Sequence, residues 1–287
     1  MRFQQNLVSL AAAALWASVA TAIQPPSVNG LNLVWFDAFR GSAGSPPDLN
    51  TWTILDAVHV NNEVQDYTTA NSNLQISGGE SIQFVPRKDS SGAWTSGRIE
   101  TKESWTPAPG KVMKLAASLL MGTNPREMKQ GIWPAFWALG DAMRHGTEWP
   151  LAGEIDIFEQ VSGHDQGWGT VHCGHMGGGP CNEPSGLQTS TVLPADGVFN
   201  EWAVTIDLTN PDWRAQTLTW QLNGNTFKSL CGADLGDEAT WATLAHSPLY
   251  LTLNVAVGGN WPGPPNEATL DGYGAMMEVH WVGVYSS

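Results

Sequence analysis

The chain has 287 residues, with 13 Lys+Arg against 27 Asp+Glu for a formal charge of −14, and it carries 31 Gly, 18 Pro, 15 Trp and 3 Cys. A surface this acidic argues against nucleic acid and anionic membranes as partners and favours a neutral ligand. A chain of this length buries a full core as one unit, so cross-links are optional.

At the start of the chain, Met1-Arg2 leads into an apolar stretch from Leu7 to Val19 that ends in Ala20-Thr21-Ala22, the small-x-small pattern of a signal-peptidase site. Residues 1–22 are therefore expected to be a signal peptide and 23–287 a single secreted, extracellular domain. The apolar stretch is short for a membrane span, is interrupted by Ser9 and Ser18, and runs into Pro25-Pro26. Removing Arg2 takes the formal charge to −15. No membrane anchor, lipid anchor or N-glycan is expected, because no long apolar run, hydrophobic tail or Asn-x-Ser/Thr acceptor follows. A monomer is expected.

Strand-like stretches then recur between turn signals. They are Leu33 to Phe36, Leu74 to Ile76, Ile82 to Pro86, Lys114 to Met121, Glu154 to Glu159, Trp202 to Asp207, Leu218 to Leu222, Leu249 to Val255 and Met277 to Tyr285. Long helical periodicity is missing, and Gly and Pro punctuate the chain evenly. The pattern predicts one all-β sandwich of antiparallel sheets with helix confined to a turn or two.

Tryptophan is the compositional outlier. Trp35, Trp202, Trp220 and Trp281 lie inside strand patterns and read as core. Trp133, Trp149, Trp168 and Trp261 sit beside Pro or Gly in expected loops, and Trp133 and Trp261 read as sugar-stacking surfaces. Among Cys173, Cys181 and Cys231 the favoured bridge is Cys173–Cys181, because Gly177-Gly178-Gly179-Pro180 between them can fold into a tight loop. Two cysteines with His172 lack a third clear ligand for zinc, and no metal or cofactor is expected.

The segment Gly153-Glu154-Ile155-Asp156-Ile157-Phe158-Glu159-Gln160 places three carboxylates within six residues, alternating with large apolar side chains. Glu154 and Asp156 share a strand face. Like charges lined up there raise one another's pKa and weaken a sheet, so a merely solvated strand would carry Thr, Lys or mixed signs. Strict alternation sends Glu159 to the other face, and one extra residue near Ile157-Phe158, a β-bulge, would bring it back. A pair of close carboxyls is what retaining glycoside hydrolysis needs. A calcium site or an acidic edge remains open from these residues alone.

This segment resembles the ExDxxE signature of glycoside hydrolase family 16, in its laminarinase-like branch. The Trp133-Pro134-Ala135-Phe136-Trp137-Ala138-Leu139-Gly140 stretch and Asn61-Asn62-Glu63 with Gln65 and Tyr67 resemble further family motifs. So do Thr95-Ser96-Gly97-Arg98-Ile99, Thr170-Val171-His172 and Asn254 through Gly263. The resemblance implies a concanavalin-like jelly roll with substrate across the concave face. It implies a retaining endo-β-glycanase acting on β-1,3-containing glucans such as laminarin or mixed-linkage β-1,3/1,4-glucan. Glu154 would be the nucleophile, Asp156 its hydrogen-bonding helper and Glu159 the acid/base. Carried over by position, Asn62 and Glu63 would bind hydroxyls and Arg98 would be a polar wall. Trp133, Trp137 and Trp261 would be cleft aromatics, and His172 a neighbour of Glu159. Structural alternatives are a core role for His172 and pairing of Arg98 with Glu100.

The sequence departs from the family at Ala38 and His280, where many members carry acids of a calcium site, so no calcium is expected there. The choice of polysaccharide is expected to lie in Asp141 to Glu148 and His164 to Glu183. Other readings are an endo-β-1,3-galactanase, a transglycosylase or a non-catalytic glucan-binding protein, the last disfavoured by retention of all three carboxylates.

Overall fold

A computed structural model describes residues 23–287, so the expected signal peptide lies outside the described residues. Two antiparallel sheets make up most of the structure. The seven-stranded sheet runs, edge to edge, Leu187–Val192, Gln166–His172, Glu154–Glu159, Ile132–Gly140, Leu249–Val257, Arg98–Thr101 and Trp52–Ile54. The other runs Asn225–Cys231, Thr217–Leu222, Asn200–Asp207, Val112–Met121, Met277–Ser286, Ile82–Phe84 and Leu74–Ile76, with Asn32–Asp37 added beside Met277–Ser286. A small third sheet joins Gln65–Tyr67, Trp94–Ser96 and Arg87–Lys88.

Alternation along the strands builds the core, since every second side chain enters the space between the sheets. Phe136, Ile155, Val171, Leu251 and Leu253 meet Leu115, Val204, Leu218, Trp220 and Val282 there, all essentially fully buried. Trp202 and Trp220 are core residues as expected, while Trp281 belongs to a smaller cluster with Ala38, Ala116, Ala203 and Tyr285. Among the described residues, helix is limited to Gly232–Leu235 and Glu238–Ala245 and short 3-10 turns.

The nine strands anticipated from the sequence are present with small shifts at their ends. The long central strand Ile132–Gly140 was not, because Pro134 argues against a central strand. It is tolerated because its missing N–H falls on the side of Gln160, one residue past the end of Glu154–Glu159. The Pro134 carbonyl still accepts from the Gln160 N–H at 3.1 Å.

At the positions tied to calcium, Ala38 is buried and the His280 ring stacks on Phe199 with centroids 3.3 Å apart. Asp37 is already engaged, accepting from the Phe39 N–H and the Trp52 indole at 2.7 Å each. Burial holds His280 below the usual imidazole value.

Candidate active site

The bulge expected near Ile157 is present. Along the pairing with Ile132–Gly140, Leu139 faces Glu154, Trp137 faces Asp156 and Ala135 faces Glu159. One residue lies between Ala135 and Trp137 while two lie between Asp156 and Glu159, and the same slip appears against Gln166–His172. The extra residue restores the phase, so all three carboxylates lie on the outer face of the sheet while Ile155 and Phe158 enter the core. The indole N–H of Trp220, reaching through the core, donates to the Asp156 carbonyl at 2.8 Å. Gly169 makes room for it: a Cβ there would lie 2.4 Å from the Trp220 ring.

Three transverse rows follow from the register. One holds Arg98, Asn254, Ala135, Glu159 and Trp168; the next Glu100, Thr252, Trp137, Asp156 and Thr170; the third Tyr250, Leu139, Glu154 and His172. Polar groups and aromatics thus share one wall across five strands.

Asp156 and Glu159 are buried, at 4% and 6% exposure. Trp133 donates its indole N–H to Glu159 Oε1 at 2.9 Å, and the Thr170 hydroxyl donates to Oε2 at 3.4 Å. Burial pushes the Glu159 carboxyl up to about 7, against the lowering pull of the Trp133 hydrogen bond and the His172 charge. Burial, with the charges of Glu159, Glu154 and Glu183 added, drives Asp156 well above the usual carboxylate range. Burial also raises Glu154, with the Glu183 charge adding to it, while His172, Arg98 and a hydrogen bond from Trp149 pull it down. Crowded acids with divergent environments are what allow one carboxyl to keep its proton while another is ionised.

His172 sits opposite Glu154, with Nε2 at 3.5 Å from Asp156 Oδ2 and Nδ1 at 2.8 Å from Glu183 Oε2. Its ring lies 5.4 Å from Trp149. The side chains of Glu154, Asp156 and His172 converge to within 4.8 Å. A zinc reading that used Cys173 and Cys181 is excluded, since they form the expected disulfide with Cα atoms 5.3 Å apart; Cys231 is free.

The remaining residues singled out from the sequence fall around this cluster. Arg98 is buried, pairs with Glu100 at 2.7 Å and stacks on the Trp137 ring at 4.8 Å. The pairing with Glu100 named as the structural alternative is therefore present. Trp137 donates to Asn254 at 2.8 Å, and Asn254 donates to the Tyr67 hydroxyl at 3.1 Å. Tyr67 and Gln65 in turn donate to Glu63 at 3.2 and 2.7 Å. Burial holds Glu63 above the usual range, opposed by Gln65 and Arg98. Asn62 is exposed and bonds Asn260 at 2.7 Å, tying its turn to the segment that presents Trp261. Trp261 is 40% exposed and forms an edge-to-face chain with Trp133 and Trp168, at 5.7 and 5.3 Å.

Trp168, Thr170, Asn254, Tyr67, Trp149 and Glu183 also surround the cluster; all but Glu183 were noted in the sequence as loop aromatics or motif members, without being assigned a site role. The first two were legible, because Trp168, Thr170 and His172 alternate on one face. Glu183 carries no local signal.

A two-sheet β-sandwich with an acid cluster walled by aromatics on one sheet face is the architecture of a polysaccharide-acting protein. The chain belongs to glycoside hydrolase family 16. The family model for the XgeA-like catalytic GH16 domain matches residues 62–194. The beta-glucanase of Rhodothermus marinus is 30% identical, with 88% of this chain aligned over 84% of that protein. The glucan endo-1,3-beta-glucosidase A1 of Niallia circulans is 28% identical over 91% of this chain, which spans only 38% of that relative's length. Among solved structures, the endo-1,3-beta-glucanase of Streptomyces sioyaensis superposes with a TM-score of 0.85 at 34% identity, covering 93% of this chain and 99% of its own.

Proposed function

We propose that this protein is a secreted, retaining endo-β-glucanase that hydrolyses β-1,3 linkages in laminarin-type or mixed-linkage glucans by double displacement. Glu159 is the acid/base and Glu154 the nucleophile. The observation that carries this reading is the bulge that returns Glu159 to the face of Glu154, where Trp133 holds one of its oxygens.

A carboxyl that titrates near 7 keeps its proton at mildly acidic pH and can give it to the departing glycosidic oxygen. Glu154, helped towards its ionised form by His172, Arg98 and Trp149, attacks the anomeric carbon. Asp156, held well above the usual carboxylate range by burial and by its neighbours' charges, lies between them on the same face and tunes the nucleophile beside it. Glu159, now ionised, then draws a proton from water as that water opens the glycosyl-enzyme. The aromatic chain of Trp133, Trp261 and Trp168 stacks sugar faces, and Glu63 and Asn62 bind hydroxyls beyond it.

Secretion is read from the pattern in residues 1–22; among the described residues no helix is long and apolar enough to cross a membrane. Substrate choice is assigned to the loops flanking the cleft, where Arg144 stacks on Tyr250 at 3.6 Å and the disulfide loop abuts His172. The test is a hydrolysis panel of laminarin, mixed-linkage glucan and β-1,3-galactan, with the first-formed anomer read by proton NMR. β-configured reducing ends from the first two polymers are expected. Release from galactan alone, or α-configured ends, would overturn the assignment.

A further inference from the structure

The strand Gln166–His172 leads directly into a loop closed by the Cys173–Cys181 bridge and by backbone pairing of Gly178 with Glu183. That loop carries Glu183 under the active site, with its side chain fully covered. A buried carboxylate is costly unless its oxygens are engaged, and here both are. Oε1 accepts from the Cys173 N–H at 2.8 Å and Oε2 meets His172 Nδ1 at 2.8 Å. The returning chain also presses on the imidazole: at Gly186, whose φ is +67°, a Cβ would lie 2.8 Å from His172 Cε1.

An ionised carboxylate only accepts, so it fixes the proton of the imidazole on Nδ1. Nε2 is then left facing Asp156 Oδ2, 3.5 Å away, an oxygen that is buried and has no other hydrogen-bond partner. One proton between them satisfies both atoms. It rests on Nε2 when His172 is charged and Asp156 ionised, or on Asp156 when His172 is neutral, and the net charge of the unit is the same in either arrangement.

We propose that Glu183 is a positioning residue of the active site, which locks His172 with Nδ1 protonated so that a single proton is shared between His172 Nε2 and Asp156. The disulfide loop is the brace that holds Glu183 in place. The inference rests on the reading of Glu154, Asp156 and Glu159 as the catalytic carboxyls. The groups facing His172 are Glu154, Asp156 and Glu159 from the neighbouring strand, Glu183 from the loop and the Trp149 ring. Burial works against a charged imidazole, but the Glu183 hydrogen bond and the charges of Glu154, Glu183 and Glu159 hold His172 above its ordinary value.

The variant Glu183→Gln keeps the shape and one acceptor but removes the charge. The measurement is the imidazole nitrogen–proton correlation spectrum of the full described chain, with His172→Gln used to assign the signal, alongside turnover of laminarin. In the wild type, Nδ1 of His172 stays protonated throughout the active pH range. In Glu183→Gln that pattern is lost and kcat falls on the order of tenfold to a hundredfold, with KM little changed, as for a group moved slightly out of line. A changed spectrum with unchanged turnover, or reduced turnover with an unchanged spectrum, would overturn the proposal. If Glu183→Gln does not fold, the wild-type spectrum decides: an unprotonated Nδ1 overturns it and a persistent Nδ1 proton supports it. Because the spectrum needs no substrate, an enzyme inactive on every glucan would refute the catalytic reading and leave the lock separately measurable.

Discussion

Trp133→Phe removes the hydrogen bond to Glu159 while keeping an aromatic ring in the cleft. The indole N–H reaches Glu159 Oε1 at 2.9 Å, while the ring packs edge-on against Trp261 at 5.7 Å, a contact that phenylalanine can partly retain. The bond favours the ionised form of Glu159 and so opposes the rise caused by burial. A hydrogen bond to a charged group contributes about 1.5–3 kcal/mol, and one pKa unit corresponds to about 1.4 kcal/mol. Trp133 is half-buried, so water can replace part of the loss, and about one unit is the expected upward movement of Glu159. Because the protonated form is the working acid, the alkaline limb of kcat/KM should move up by about one pH unit from its wild-type position near 7. The assay is kcat/KM on laminarin from acidic to alkaline pH, with Trp261→Phe as the control that alters stacking but not this bond. A limb that stays in place or moves to lower pH refutes the assignment of Glu159 as the group holding the proton.

Stability carries the same signature. Glu159 titrates at about 7 in the fold against an ordinary 4.5, so its contribution is fully present below 4.5 and lost as pH rises through 7. The loss amounts to about 3 kcal/mol, so Glu159→Gln should melt about 5–10 °C above wild type at alkaline pH and show no such gain at pH 4, by differential scanning calorimetry. Gly169→Ala drives a methyl into Trp220 and displaces the indole that holds the Asp156 carbonyl. Overpacking and an unsatisfied carbonyl together should lower stability by about 2–5 kcal/mol, read by chemical denaturation, and a double mutant with Trp220→Phe should be less than additive. Chelator should leave the melting temperature unchanged, since the His280–Phe199 stack and buried Ala38 stand at the positions tied to calcium.

The sandwich and the carboxylate cluster were legible because period-2 alternation marks half-buried strands and because three acids on one strand have no structural excuse. The bulge could be inferred from the requirement that Glu159 share the face of Glu154, and pairing of Asp156 and Glu159 with Thr170 and Trp168 bears this out. The strand Ile132–Gly140 was hidden by Pro134, whose harmlessness depends on where the neighbouring strand stops. Short strands such as Trp52–Ile54 and Arg98–Thr101 have too few residues to display a period. The closure of Cys173 with Cys181 was legible from the glycine-rich stretch between them, but that the loop returns Glu183 to His172 is a matter of tertiary geometry which no local pattern in the sequence encodes.

The central claim, that Glu154 attacks and Glu159 handles the proton, is tested most directly by azide rescue of the two alanine variants on an activated aryl β-laminaribioside. Such a leaving group departs without protonation, so Glu159→Ala should still form the glycosyl-enzyme and azide should release it as the β-linked glycosyl azide. With Glu154→Ala, azide takes the place of the nucleophile and the rescued product should be α-linked. Exchange of the two anomeric outcomes would reverse the roles of Glu154 and Glu159, and absence of rescue in both would contradict double displacement on this cluster.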